Sequence, residues 1–404
     1  MKRILDIALG VVTSVGGFLE IGSITTAVQA GAAFGYQLVW SVVLGVICIA
    51  FLAEMAGRFA AVSKTTIPDA LRERFGVNFF VVPLVVMFGV SLMTLGAEVG
   101  GVSAALEMAT GVKLLVWAIP IGLVAWIVLW RSSFSLIENG VSLLGLVTLA
   151  FAVGAFKMHP SYGAVLRGAV PTLPHTKPAH YWFIAVSVLG ASISPYLFFF
   201  YSSGAIEEKW GRDFVVANRV VAAGGMGFGG VLNVAVLVLA ALIFHPGRIE
   251  VQHYEQLPRV LIGPFGHAGF WLFLACLGVG CMGATLEITL ALAYLIAQGF
   301  GWNWGENLAP RDDARFSLTY TAILIVAALI VLVGVDPLKL TEYAMALTAA
   351  SLPVGIFPFL ILMNDRERLG RYTNGTFGNV VVLAISGLAA IVALVSIPLQ
   401  LIGS

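Results

Sequence analysis

Glu20 stands near the middle of an apolar run, with Gly16, Gly17, Gly22 and Ser23 around it. An acid at the centre of a bilayer-spanning helix costs roughly 2.5–3.5 kcal/mol on insertion scales, so it must pair, take up a proton or bind a cation. No lysine or arginine sits at an obvious matching depth. The glycines weaken the helix, and an opened helix exposes carbonyls that attract cations as the carboxylate does. A second run, "VLGASISPYLFFFYSSGA" (188–205), places Ser192, Ser194 and Pro195 at its centre. Proline removes a backbone donor and clashes with the preceding turn, so this helix is predicted to break. Ser23 and Ser194 would add hydroxyl oxygens to the Glu20 carboxylate, and an all-oxygen set suits hard ions such as Mg²⁺, Ca²⁺ or Mn²⁺.

Each of these residues also has a plainer reading. Glu20 could be protonated and bonded to a carbonyl freed by the break. Ser23 and Ser194 could bond their own backbone or let helices approach closely. Glu98 in "TLGAEVGG" (94–101) is either a proton relay or an interhelical hydrogen-bonding group. Glu287 in "GATLEITLALAY" (283–294) is either a second acid on the pathway, able to relay protons, or a structural residue. Tyr196 and Tyr201 either line a cavity or pack.

Composition decides which elements must hold these groups. The 404 residues are 59% hydrophobic and 11% charged, with mean hydropathy +0.98. A soluble chain would carry roughly twice that charged fraction. Eleven apolar segments are long enough to cross a bilayer: 5–32, 37–62, 78–109, 113–131, 134–156, 181–205, 214–245, 267–299, 316–334, 340–363 and 378–402. The expectation is an all-α polytopic membrane protein of about 11 transmembrane helices. About fifteen basic residues fall on the side that holds the N-terminus and about seven on the other. This places the N-terminus in the cytoplasm and, with an odd span count, the C-terminus outside, as in a bacterial inner or plasma membrane. The first run lacks a convincing cleavage site and is too long for a signal peptide.

The two interrupted runs are the first and the sixth spans. Five is odd, so the second unit enters the membrane inverted relative to the first. Interruptions at matching places in two halves point to an inverted-repeat transporter with its site near the midplane. The predicted units are 1–156, 181–363 and an additional helix, 378–402, together forming one transmembrane domain over 1–404. "SKTTIPDALRERFG" (63–76) reads as a short amphipathic helix with Asp69, Arg72 and Arg74 on its wet face. Cys48, Cys276 and Cys281 lack metal-type spacing and read as packing residues. A net charge of +1 with no basic tail argues against nucleic acid as a partner.

Four stretches resemble the NRAMP family of divalent metal ion transporters: "ITTAVQAGAAFGYQLVW" (24–40), "LGAEVGG" (95–101), "GASISPYL" (190–197) and "SLPVGIFPFLILMNDRERLG" (351–370). The resemblance implies the LeuT-type inverted 5+5 repeat with broken helices 1 and 6. It also implies metal ligands at Glu20, Ser23 and Ser194, and at the carbonyls of Gly17 and Ala191, with Tyr196 on the substrate. The departures are specific. Glu20-Ile21-Gly22-Ser23 stands where the family has Asp-Pro-Gly-Asn, and Ser194-Pro195-Tyr196-Leu197 where it has Met-Pro-His-Asn. Leu95 replaces an acid of the third helix, Glu98 matches its glutamate, and Tyr201 replaces a later His. Loss of the thioether weakens selection for softer metals. Loss of an Asp and two His removes proton-relay groups.

The function expected is a secondary transporter of a divalent cation, Mg²⁺ or Mn²⁺, with weak or absent proton coupling. The divalent ion and the lipid bilayer are its expected partners, the chain is expected to be a monomer, and no cofactor is expected. The alternative is a carrier of a small organic solute, an amine or amino acid, whose ammonium would meet Glu20. A membrane sensor or interaction scaffold is weakened by the absence of a soluble signalling domain. No nucleophile–base pair or catalytic metal motif suggests an enzyme.

Overall fold

The computed structural model describes residues 19–132, 140, 145–174, 177–305, 308 and 310–402. The first helix, α1, covers Ile21–Phe34 and is the second half of the first apolar run. It starts on an extended Glu20 (φ −101°, ψ 176°) and stops at Gly35. α2 (Val39–Ser63) runs back across the bundle. α3 (Ile67–Phe75) is the predicted surface helix. Its cap Thr66 accepts from the Asp69 N–H, Pro68 lies in the first turn, and Arg72 and Arg74 close the last, as the helix dipole favours. Arg72 is not fully wet: it is half-buried and donates to the Gln298 carbonyl at 2.9 Å.

α4 (Val77–Thr110) has 34 residues, about 51 Å of helix, so it must tilt or project beyond a hydrocarbon core of about 30 Å. α5 (Leu114–Arg131) turns Val116, Ile119, Leu123 and Ile127 outward, a face suited to lipid. α6 (Leu149–Lys157) belongs to the fifth span, after a 3-10 turn at Leu146–Thr148, and α7 (Tyr162–Gly168) lies in the loop after it. The sixth span is two helices, α8 (Pro178–Ser192) and α9 (Pro195–Glu207). Ile193 and Ser194 separate them, and Pro195 opens α9 where its missing N–H costs nothing. The predicted break is therefore present at the predicted residue.

α10 (Val215–Ile243), the short α11 (Arg259–Phe265), α12 (His267–Phe300), α13 (Ala314–Leu332) and α14 (Pro337–Met363) follow. A single turn, α15 (Arg366–Leu369), leads to α16 (Thr376–Ile402), which packs on α8 and α14. Among the described residues, nine helical segments are long and apolar enough to cross a membrane, with α8 and α9 together as one. The most extensive packing joins α4 to α12 and α14, and α10 to α1 and α2. Both halves of the broken sixth span are enclosed by other helices.

Close approach at glycine makes this core possible. A methyl group on Gly190 of α8 would lie 1.9 Å from the Met345 carbonyl oxygen of α14, and one on Gly101 of α4 would lie 2.7 Å from Cys281 Sγ. The three cysteines are free and buried.

Candidate functional site

The N-terminus of α1 and the α8–α9 break meet at Glu20. Its carboxylate is 1% exposed. Tyr196 Oη, in the first turn of α9, donates to Glu20 Oε2 at 2.9 Å. Ser194 Oγ lies 3.3 Å from Glu20 Oε1 and also 3.3 Å from the Ala191 carbonyl oxygen, so its one proton has two acceptors. Ser23 turns back to the helix start: its Oγ accepts from the Glu20 N–H at 3.1 Å and is 3.1 Å from the Glu20 carbonyl oxygen. The structure thus brings together Glu20, Ser23, Ala191, Ser194 and Tyr196. Gly17 lies outside the described residues.

Glu98 reaches the same point from α4. Its Oε2 accepts the Ile21 N–H at 3.3 Å, so a carboxylate sits against the exposed donors and positive end of α1. The side chain is 0% exposed, and Oε1 has no hydrogen-bond partner. Glu287 of α12 is buried and lies within electrostatic reach of Tyr196, as do Glu20 and Glu98. Its neighbours Thr285 and Thr289 bond back to their own helix at Cys281 and Thr285. Tyr201, further along α9, packs edge-on against Trp210 at 5.6 Å. Leu95, where the resemblance leads one to expect an acid, is fully buried.

Two features were not legible in the sequence. Cys281 lies beside Glu98, because α12 crosses α4 at Gly101. A methionine also reaches the break from α14. A methyl group built on Gly22 would be 2.8 Å from Met345 Sδ and 3.4 Å from Glu20 Oε1. Sulfur and carboxylate oxygen are therefore no further apart than the sum of those distances, 6.2 Å. Met345 also packs with Ala191, Ala344 and Met93. The donor set expected to be all oxygen has a thioether at its edge. A methionine inside an apolar span carries no sequence signal that separates it from packing. Among the described residues, no three His, Cys, Asp or Glu side chains cluster closely enough to hold a metal by themselves. Any ion here would rely on one carboxylate supplemented by hydroxyls, carbonyls, sulfur or water.

Comparison with known proteins fits this architecture. A family model described as natural resistance-associated macrophage protein-like matches residues 10–398. The divalent metal cation transporter MntH of Klebsiella pneumoniae (strain 342) is 25% identical over 373 residues, 89% of this chain and 85% of that protein. The crystal structure of the Eremococcus coleocola manganese transporter, bound to an aromatic bis-isothiourea compound, superposes with a TM-score of 0.79. It has 19% identity and covers 98% of this chain and 86% of that one. A more distant likeness is to MhsT in complex with L-phenylalanine, with a TM-score of 0.61, 13% identity, and 96% and 97% coverage. The fold is the LeuT-type architecture, with its sixth span broken at Ile193–Ser194 and α1 starting at an extended Glu20. With its helix breaks, buried acid and match along nearly the whole length, this chain is an integral membrane transporter, not an enzyme, and belongs to the Nramp family of divalent metal cation transporters.

Proposed function

We propose that the chain carries a divalent cation, Mg²⁺ or Mn²⁺, by alternating access around Glu20. The observation that carries this reading is the buried Glu20 carboxylate where the start of α1 meets the α8–α9 break, with hydroxyl, carbonyl and thioether groups converging on it. The ligands would be Glu20, Ser194 and the carbonyls of Ala191 and Gly17. Ser23 would join if it left its cap on α1. Waters would complete the shell, as they do for small hard cations.

Met345 favours Mn²⁺ over Mg²⁺ in this set, because a thioether adds affinity for the softer ion and almost none for the harder one. The manganese-transporting relative supports the same choice. Tyr196 and Ser194 hold the carboxylate while no ion is bound, and an arriving ion would displace at least one of these hydroxyls. Glu98 is the remaining relay group, beside the moving end of α1, and Glu287 is its possible partner. With no His in this network, coupling to protons is weak or absent. The charge distribution supports a cytoplasmic N-terminus and an external C-terminus.

The test is uptake into proteoliposomes of purified protein, offered Mg²⁺, Mn²⁺ and Ca²⁺, with a pH dye inside. Saturable Mn²⁺ uptake that is lost in Glu20→Ala and falls relative to Mg²⁺ uptake in Met345→Leu is the expected result. Uptake that survives Glu20→Ala would remove the central site. Folded protein that moves no divalent ion would point to an organic amine on the same scaffold.

A further inference from the structure

A cavity of about 320 Å³ opens between α1, α8, α14 and the loop at 250–253, at the end of the bundle opposite α3. It rises from the same three helices that meet at Glu20, Ala191 and Met345. Gln29 lies seven residues beyond Gly22, about 10 Å further along α1. Its amide nitrogen donates to Glu342 Oε1 on α14. Its Oε1 has no partner, although Gln29 lines the cavity and is only 7% exposed. A buried carbonyl without a donor is destabilising unless something outside the chain supplies the missing contact. Glu342 stands beside it, half-buried.

Charged groups on the wall set what an ion would meet. Glu250 and Glu342 face it, with His180 and His253, and Lys339 is the one ammonium on its wall. Lys177 lies outside the lining and bonds Glu250 at 2.7 Å. Glu250 is therefore already paired, and Glu342 is the wall carboxylate left for an ion. Two oxygens of different helices, one charged and one neutral, match the way a small divalent ion is usually held, through one or two protein oxygens with its waters kept.

We infer that this cavity is a loading site for a hydrated divalent cation, held by Glu342 and the Gln29 carbonyl before it descends to Glu20. The inference rests on the proposed cation transport and adds a second, weaker site to it. Occupation would draw Glu342 and Gln29 towards the ion and loosen the bond that joins α1 to α14, so loading and opening of the path would be linked.

The experiment is a Mn²⁺ titration of the full chain in nanodiscs, read from the EPR signal of the free ion. Wild type should show two classes of site. Glu20→Ala should remove the tighter class and keep the weaker, and adding Glu342→Gln should remove the weaker as well. In the Glu20→Ala background, Lys339→Gln should tighten the weaker class by about three- to tenfold, since it deletes a repulsive charge near the ion. Lys339 is exposed, so this variant is not expected to disturb packing and carries the test even if Glu342→Gln folds poorly. The loading site is overturned if Glu20→Ala binds no Mn²⁺, if the weaker class persists in folded Glu342→Gln, or if Lys339→Gln leaves it unchanged. If Glu20→Ala retains both classes, the central site fails instead, and loss of the weaker class in Glu342→Gln would still support the cavity.

Discussion

Tyr196→Phe removes one oxygen from a deeply enclosed polar contact. The phenol donates to Glu20 at 2.9 Å, and the two residues are 4% and 1% exposed. Without the hydroxyl, Glu20 Oε2 loses this donor. A hydrogen bond of this kind contributes about 1–3 kcal/mol, with the upper part of the range for a charged acceptor. For a chain of 404 residues, unfolding entropy of about 2 cal/mol/K per residue turns that into a fall of about 1–4 °C in melting temperature. The same change should strengthen ion binding. In the proposed cycle the ion displaces Tyr196 or Ser194, and a phenylalanine leaves less to displace. Mn²⁺ affinity should rise by at most the energy of the lost bond, a ceiling of about five- to 150-fold. The assay is thermal unfolding in detergent, with and without Mn²⁺. Wild type and variant should differ most without the ion, and the Mn²⁺-induced rise should be larger in the variant, since stabilisation grows with ligand concentration over Kd. An unchanged melting temperature without ion would show that the bond contributes nothing. A smaller Mn²⁺ effect in Tyr196→Phe would show that Tyr196 holds the ion instead of competing with it.

Further perturbations follow from the packing and the surface charges. Gly190→Ala should cost more than the usual 1–3 kcal/mol of an overpacked core, because the new methyl meets the backbone oxygen of Met345 at 1.9 Å and backbone cannot rotate away; the measurement is the yield of monodisperse protein, and a normal yield would show that α8 and α14 do not approach as described. Asp313, at the start of α13, is pushed up from 3.8 to about 6 by desolvation. The folded state therefore holds its proton more tightly than the unfolded one, and stability should fall as pH rises from about 4 to about 6. Asp313→Asn should flatten that part of a melting-temperature profile, and an unaltered profile would count against the assignment. Glu250 is held below the usual carboxylate range by its hydrogen bond and charge pairing with Lys177. Its stabilising contribution is present above the ordinary carboxylate value and is lost as pH falls through the lowered one. Because the pair is exposed, Lys177→Gln should change stability little; a large loss would mean the loop at 250–253 depends on it.

The sequence by itself determined the membrane class, most of the spans and the helix break at Pro195, while the first break and parts of the first and fifth spans lie outside the described residues. These depend on local facts: an apolar run of sufficient length, a proline without an N–H, and an acid that a bilayer would expel. It also singled out Glu20, Glu98, Ser194 and Tyr196, because ionisable or hydroxyl groups at membrane depth are conspicuous one residue at a time. Contacts between distant helices were a different matter. That Ser23 caps α1 depends on where the helix starts. That Glu98 faces Ile21 depends on α4 crossing α1. Met345 beside Gly22, and Gln29 against Glu342 across 313 positions of chain, depend on the rotation and tilt of α14. Hydropathy carries no information about rotation when a helix is apolar on every side, as α14 nearly is. Only the packing of glycine against backbone fixes which face turns inward, and that packing decided which donors the site contains.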